Sequence, residues 1–218
     1  MELKDVAFSF LDFPKLELDT EKLIAFFDKY KTTAATYKST ETWQIMTIEA
    51  GEWYRKVPIG LPVYDTEARK EFPDLMDLIY SLPVKLERVQ IWENIIPVGA
   101  HQDTFHPALN CPWPGPKMYR LMLVDPGCST FYMSPNPEHP PEEQRIYPKF
   151  DQVDTNVFCF TNEDVFHGSA MRTPGTRKLL IQLAGYLDVE KHIEILERSV
   201  VKYKDHVITV DQLKSMKQ

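Results

Sequence analysis

The second half of the chain alternates short apolar stretches with turn-forming residues, a pattern typical of antiparallel β proteins. The stretches lie at 86–96, 119–125, 129–134, 156–161 and 177–187, and they are rich in β-branched and aromatic residues. No helical pattern separates them, which argues against the βαβ units of a parallel sheet. The sequence therefore predicts a mainly β fold, as an antiparallel sandwich or small barrel.

Apolar residues at helical spacing predict helices on either side of this β region. One helix begins after Asp19 or Thr20, either of which can cap it, and another begins at Pro73, which suits a first helical turn. Asp188 caps a third helix, which ends the main fold. We therefore expect one domain over 1–218, with a β-core at about 86–187 and helical support at 20–82 and 188–218.

Composition and charge exclude several classes of protein. The chain has 218 residues, 43% of them hydrophobic, and its net charge of −7 comes without a long run of Lys or Arg, so we expect no nucleic-acid partner. Its uncharged apolar stretches fall short of the ~20 residues of a membrane span, and no signal-peptide pattern opens the chain. Three widely spaced cysteines, Cys111, Cys128 and Cys159, favour a reducing compartment. We expect a cytoplasmic protein, whereas the oligomeric state is not predicted.

Two short segments, each directly after a predicted strand, contain the candidate chemistry. AHQDTFHP at 100–107 places His101 and Asp103 two residues apart, so their side chains leave the same face of an extended backbone. VFHGS contributes His167, which antiparallel strands can bring beside them. Two neutral imidazoles and one carboxylate occupy one face of an octahedral ion and leave adjacent positions open, which suits Fe(II) oxygen chemistry. A structural zinc site is instead closed by four ligands, usually including cysteine.

Arg177 is the candidate anchor for an anion. It opens the stretch 177–187 on the face of Leu179, Ile181 and Leu183, where a guanidinium is costly to bury without a counter-charge. Its planar fork fits a carboxylate. A dicarboxylate that chelates the metal through a keto-acid end and reaches Arg177 with its far carboxylate satisfies both features. Arg172 is a competing anchor.

These motifs resemble the family of 2-oxoglutarate-dependent Fe(II) dioxygenases, in which HxD, a distal His and an Arg about ten residues later follow in this order. The resemblance rests on AHQD and VFHGSAMRTPGTR and covers 86–187. It implies a double-stranded β-helix (jelly-roll, cupin-like), Fe(II) on His101, Asp103 and His167, and 2-oxoglutarate on Arg177. It also implies consumption of O2, release of succinate and CO2, and hydroxylation of a substrate carbon. Asp103 argues against halogenation, because halogenases of this family have Gly or Ala there.

Other polar and aromatic residues are candidates for contacts with the co-substrate or the substrate. Arg120 shares a strand face with Met122, and that face points either to the interior or to the surface. Together with Tyr119, Arg120 is a second candidate for binding the co-substrate. One face of the strand before His101 forms either a pocket wall or a polar outer face. The candidate substrate residues are Gln90, Trp92, Asn94, Phe105 and Arg172.

Two alternative functions remain open at the level of sequence. A metal-dependent cupin binds iron or another metal without a keto acid, and the role of Arg177 distinguishes it from the oxygenase. A non-catalytic β-sandwich binding module has an incidental His/Asp cluster and binds no divalent metal. For the oxygenase we expect a small-molecule or amino-acid-like substrate, and the sequence specifies neither its identity nor the position of attack.

Overall fold

Two antiparallel sheets form the framework of the molecule. The computed structural model describes residues 1–36, 39–55, 61–94, 97–103, 110–125, 130–163, 165–170 and 173–217. Within these ranges one sheet has eight strands and the other has three, and neighbouring strands in both are antiparallel. The predicted mainly β class with a jelly-roll, cupin-like arrangement and flanking helices is confirmed.

The large sheet draws strands from the whole length of the chain. In spatial order it runs β11-β1-β8-β6-β10-β4-β3-β2, and the small sheet runs β5-β9-β7. The strands are β1 (Val6–Phe10), β2 (Thr32–Thr36), β3 (Ser39–Ala50), β4 (Val84–Asn94), β5 (Val98–His101), β6 (Met118–Val124), β7 (Phe131–Ser134), β8 (Val157–Phe160), β9 (Phe166–Ser169), β10 (Leu179–Leu187) and β11 (Ile208–Thr209).

The helices at Thr20–Tyr30, Asp65–Glu71, Pro73–Ser81 and Val189–Lys202 supply side chains to the core on the outer face of the large sheet. The predicted caps are present, since Asp19 accepts a hydrogen bond from the Lys22 amide and Asp188 accepts one from the Lys191 amide. No helix in the described ranges is long and apolar enough to cross a membrane. The helices are α1 (Thr20–Tyr30), α2 (Glu52–Arg55), α3 (Asp65–Glu71), α4 (Pro73–Ser81), α5 (Val189–Lys202) and α6 (Val210–Ser215), and short 3-10 turns lie at Leu3–Asp5, Glu142–Gln144, Phe150–Gln152 and Lys204–His206.

The large sheet is buried on both faces. In β6, Tyr119, Leu121 and Leu123 belong to the core beneath the helices, whereas Met118 and Met122 belong to a second core between the two sheets. Successive side chains of a strand point to opposite faces, so each strand of this sheet serves two interiors.

Phenylalanine rings join the two sheets. Phe158 of β8 lies 5.4 Å from Phe8 of β1 and 5.3 Å from Phe131 of β7, measured between ring centroids. Phe10 packs edge-on against Phe8 at 5.0 Å and against Phe150 at 5.2 Å. Each buried ring removes a large apolar area from water, so this cluster fixes the small sheet over one half of the large sheet.

The predicted boundaries of the β-core are wrong. The strands β1, β2, β3 and β11 all belong to the large sheet, although they lie outside 86–187, and β2 and β3 fall within the expected helical support at 20–82. All five residues of β1 are buried, so its sequence VAFSF has no amphipathic alternation to indicate a strand. The position of β1 in the sheet is set by its pairing with the distant strand β8, in which Phe8 lies opposite Phe160.

We predict that Phe10→Ala destabilises the fold by about 3–5 kcal/mol, because it leaves a cavity within the ring cluster. Phe10 is fully buried, whereas Val201 on α5 is 75% exposed. Urea unfolding measures the difference, and Val201→Ala is the control, with a change near zero. Equal free energies of unfolding for Phe10→Ala and wild type would contradict this account of the inter-sheet core.

Candidate metal centre

Pairing within the small sheet brings together the three side chains that the sequence singled out. His101 ends β5 and is directly paired with His167 of β9, and Asp103 follows two residues later. One ligand atom from each residue lies within 4.8 Å of the others. The Nε2 atoms of His101 and His167 are 3.7 Å and 3.8 Å from carboxylate oxygens of Asp103. The convergence is observed, and metal binding itself stays a prediction.

Hydrogen bonds to a neighbouring segment hold Asp103 in place. Its amide donates to Oδ1 of Asn162 and its carbonyl accepts from Nδ2 of Asn162, both at 2.7 Å. Gln102 donates from Nε2 to the Val165 carbonyl at 3.1 Å. The loop after β5 is therefore attached to the segment that leads into β9, and the carboxylate and His167 keep a fixed relation. The sequence analysis did not identify Asn162. The one feature that could have indicated it is its position as a polar residue just after an apolar strand.

Burial and neighbouring charge set the protonation states of the cluster. Burial lowers the pKa of His167 to about 3, so this imidazole is neutral near neutral pH and able to bind a metal. Burial alone would raise the pKa of Asp103, but its contact with His101 and nearby positive charge, including Arg120, hold that pKa well below its usual range. Burial also lowers the pKa of His101, whereas Asp103 and the Gly99 carbonyl raise it above its usual value. Asp103 is therefore a carboxylate.

The orientation of His101 is set by a backbone contact. Its Nδ1 lies 2.9 Å from the Gly99 carbonyl oxygen, and a nitrogen at that distance donates its proton to the carbonyl. The Nε2 lone pair is then free to face Asp103 and His167. This is the common support for a metal-binding histidine, because a hydrogen bond at one nitrogen fixes which nitrogen binds the ion.

Arg120 lies beside the cluster, on the inner face of β6. Its Nη2 donates to Oδ2 of Asp103 at 3.1 Å and its Nη1 donates to the Tyr119 carbonyl at 2.9 Å. The side chain is 5% exposed, and burial lowers its pKa to about 10 although Asp103 opposes the shift. The guanidinium thus remains charged and pairs with the carboxylate. The sequence left open whether Arg120 faces the interior or the surface, and in the structure it faces the interior.

The donor set fits an open metal site. In the part of the chain that the structure describes, His101, Asp103 and His167 form the group of potential ligands, and neither Cys111 nor Cys159 belongs to it. Two imidazoles and a carboxylate, with no fourth ligand among the described residues, leave room for exogenous oxygen ligands. This set differs from the four ligands, usually including cysteine, that close a structural zinc site.

A cleft of about 550 Å³, its open mouth included, lies between the two sheets over these residues. Aromatic and aliphatic side chains dominate its walls, and a few polar groups converge on it, as is usual for small-molecule sites. The apolar walls include Trp92, Phe131, Phe158 and Leu180, and the polar lining includes Arg120, Ser169, Lys178 and Gln182.

Comparison with known proteins adds little to this geometry. No protein-family model matches the chain, and no curated protein matches it. Among solved structures the chain is similar to the crystal structure of HygX from Streptomyces hygroscopicus with nickel, 2-oxoglutarate and hygromycin B bound. The two chains are 10% identical, 83% of each is covered, and the TM-score is 0.41.

Arg177 does not reach the cleft, which contradicts its predicted role as an anion anchor. Its guanidinium donates to both oxygens of Glu93, at 3.0 Å and 2.6 Å, and to both oxygens of Asp28, at 2.7 Å and 2.9 Å. The face of β10 that it shares with Leu179 and Ile181 belongs to the core beneath the helices. Arg177 therefore joins α1 to the outer face of the sheet.

Lys178, one residue later, lies on the cleft side of the large sheet. It lines the cleft, is 3% exposed, and donates from Nζ to Oγ1 of Thr130 at 2.9 Å. Its face of β10 continues through Leu180 and Gln182, which also line the cleft. The signal for Lys178 was present in the alternation of RKLLIQLA, but that pattern leaves open which of the two faces is the cleft side.

The remaining candidate residues divide between three places. Tyr119 was predicted to bind the co-substrate, and this is wrong, because it faces the helices and its hydroxyl lies 2.7 Å from Nδ1 of His192. Trp92 lines the cleft, while Gln90 on the same face bonds to Thr47 and Tyr54 farther along the sheet. Three predictions lie outside the described residues or side chains, namely Asn94, Phe105 and Arg172.

We predict that His101→Ala, Asp103→Ala and His167→Ala each weaken binding of Mn(II) or Co(II) by at least about 100-fold, because supporting residues alone cost 10–100-fold at metal sites. Isothermal titration of the purified variants measures the affinity. His206→Ala, a histidine outside the cluster, is the control and should bind like wild type. Wild-type affinity in any of the three variants would remove that residue from the ligand set.

A second prediction follows from the ion pairs of Arg177. Its hydrogen bonds lower the pKa of Asp28 from 3.8 to about 2, so the resulting stability is present above about pH 4 and is lost as the pH falls through 2. The difference in free energy of unfolding between wild type and Arg177→Gln should therefore shrink on acidification over this range. Urea unfolding from pH 2 to 6 measures it.

Lys4→Gln is the control for this measurement, because it removes an exposed ion pair with Glu2 and should change stability little. A pH-independent difference between wild type and Arg177→Gln would show that the pair with Asp28 contributes nothing to folding.

Proposed function

We propose that the protein is a non-haem Fe(II) oxygenase that uses 2-oxoglutarate and O2 and hydroxylates a small molecule. One observation carries the proposal: an open cluster of two histidines and one carboxylate lies in a cleft that also contains a buried lysine. The cluster supports the metal, and the lysine supports an anionic co-substrate beside it. Neither feature alone would favour an oxygenase over a plain metal-dependent cupin.

His101, Asp103 and His167 would hold the iron through one atom each. Two sets of hydrogen bonds preorganise these ligands. The side-chain amide of Asn162 bonds to the backbone of Asp103, and the Gly99 carbonyl accepts from Nδ1 of His101. Arg120 holds the second oxygen of the Asp103 carboxylate, which restricts its rotation. Asp103 also argues for hydroxylation over halogenation, since it occupies the position that a halide would take.

Lys178 would bind the far carboxylate of 2-oxoglutarate. Lys178 is 3% exposed and lines the cleft, and its Nζ donates to the hydroxyl of Thr130. A positive charge in that position favours an anionic group that enters the cleft. Thr130 in turn lies 2.9 Å from the Ser169 hydroxyl, which lines the cleft. This assignment replaces Arg177, whose donors are already paired with two carboxylates.

Bound iron would supply the activation of O2, coupled to the conversion of 2-oxoglutarate to succinate and CO2. The contribution of the chain is to position the reactants and to exclude water. Trp92, Phe131 and Leu180 give the cleft apolar walls, so a substrate carbon can approach the metal with little competing solvent. The cytoplasm is the compartment we propose, because the cysteine spacing shows no disulfide framework.

Anaerobic titration of the Fe(II)-loaded protein with 2-oxoglutarate tests this proposal. We expect the weak visible charge-transfer band of a keto-acid chelate in wild type. Lys178→Gln should weaken 2-oxoglutarate binding by roughly 30-fold or more, because it removes a charge-assisted contact worth about 2–5 kcal/mol in a buried site. Iron affinity should barely change, since Lys178 is not a ligand.

Arg177→Gln is the matched control, because it removes a cation at the adjacent position on the other face of β10. It should leave 2-oxoglutarate affinity unchanged. Pyruvate, which lacks the far carboxylate, should bind wild type weakly and lose little more in Lys178→Gln. A metal-loaded wild type that shows no band with 2-oxoglutarate would favour the metal-dependent cupin.

A further inference from the structure

A polar strip extends from the cleft across the inner face of the large sheet. It consists of Arg88, Gln90, Gln182, Thr47 and Tyr54, which lie on β4, β10, β3 and α2. Strand register aligns them, since Gln182 pairs with Gln90, and Gln90 pairs with Thr47. The residues between them on β4, Val89 and Ile91, belong to the helix-side core, so the strip faces the cleft side.

Arg88 is the charged member of this strip. Among the described residues it takes part in no ion pair, and its buried Nε has no hydrogen-bond acceptor. One long contact remains, from Nη2 to Oε1 of Gln182 at 3.4 Å. Gln182 lines the cleft, so Arg88 lies one side chain away from it.

Two further observations describe the surroundings of Arg88. Burial lowers the pKa of Arg88, and Tyr54 and the charge of Asp103 act in the opposite direction. Oε1 of Gln90, the next residue on this face, is also buried without a partner among the described residues. Buried polar groups in native proteins are usually paired, so these two atoms offer a donor and an acceptor to a group that reaches the strip.

We propose that Arg88 forms a carboxylate-binding subsite at the β4 side of the cleft, and that the primary substrate is an organic acid held there. The inference rests on the proposed oxygenase function for the reaction that follows binding. The carboxylate would accept hydrogen bonds from the guanidinium, and the apolar part of the acid would lie against Trp92 and Leu180 towards the metal. Arg88 is thus a specificity-determining residue.

Charge favours an acid over a neutral or basic substrate. Arg88 and Arg120 face this region, and Asp103 is the carboxylate that faces them from the described residues. Asp103 is already paired with Arg120, so the charge of Arg88 is left uncompensated. The fork geometry favours a carboxylate over a phosphate dianion, because a single guanidinium surrounded by neutral amide and hydroxyl groups matches one negative charge.

The test uses the protein loaded with Mn(II) and 2-oxoglutarate, so that the metal and the co-substrate site are already filled. The probes are 3-phenylpropionate and its amide, which share an apolar ring and differ in charge. Wild type should bind the acid about 10-fold or more tightly than the amide, measured by isothermal titration. Arg88→Gln should abolish this preference, and Arg88→Lys should keep part of it.

Arg198→Gln is the control, because it removes an exposed arginine on α5 and should keep the full preference for the acid. A structural role for Arg88 is tested separately, by the melting temperature without probe. Because Arg88 forms no ion pair with a described residue, Arg88→Gln should leave the melting temperature unchanged or raise it, and the acid should raise that of wild type but not that of Arg88→Gln.

Three results would overturn the proposal. These are no preference for the acid in wild type, a preference that survives Arg88→Gln, and inorganic phosphate binding more tightly than the acid. Failure of the proposed function is visible in the loading step, where 2-oxoglutarate would not bind. In that case the acid and the amide are compared on the protein without co-substrate, and dependence on Arg88 would still establish the subsite.

Discussion

Burial of the large sheet on both faces is the constraint on which the rest of the structure depends. Because side chains alternate along a strand, each strand must supply apolar residues to the helix-side core and cleft residues to the other face. Directly before β10 this separates Arg177 from Lys178, and on β6 it separates Tyr119 from Arg120. A shift of one residue in any of these strands would exchange the two interiors, and the cleft would lose its cations together with its walls.

The sequence was sufficient for features that depend on local chemistry. Capped helices at Asp19 and Asp188 were predictable because the cap and the apolar stripe are close in sequence, and the joining of HxD with His167 followed from their places at strand ends. It was insufficient wherever the answer depended on which face of a strand meets which layer. Arg177 satisfied every local criterion for an anion anchor, but its partners Asp28 and Glu93 are distant in the chain.

The electrostatics of the cleft depend on which groups contact the two carboxylate oxygens of Asp103. One oxygen accepts from Arg120, and both lie within 4 Å of a histidine Nε2. A bound dication would share a carboxylate that already compensates a guanidinium, so the cluster would carry excess positive charge in a buried place. An anion that entered the cleft would relieve this excess, and in the proposed oxygenase a keto acid would do so next to the metal ion.

The same argument applies to the polar strip around Arg88. Nε of Arg88 and Oε1 of Gln90 are buried and have no partner among the described residues, and the inter-sheet phenylalanine cluster and the helix-side core must offset the cost of burying them. A ligand that paired with these atoms would regain the missing interaction on binding, so its contribution would appear as affinity and not as fold stability. Destabilisation of this kind therefore belongs on the inner face of the sheet beside the cleft, where a ligand can reach it, and not on the face beneath the helices.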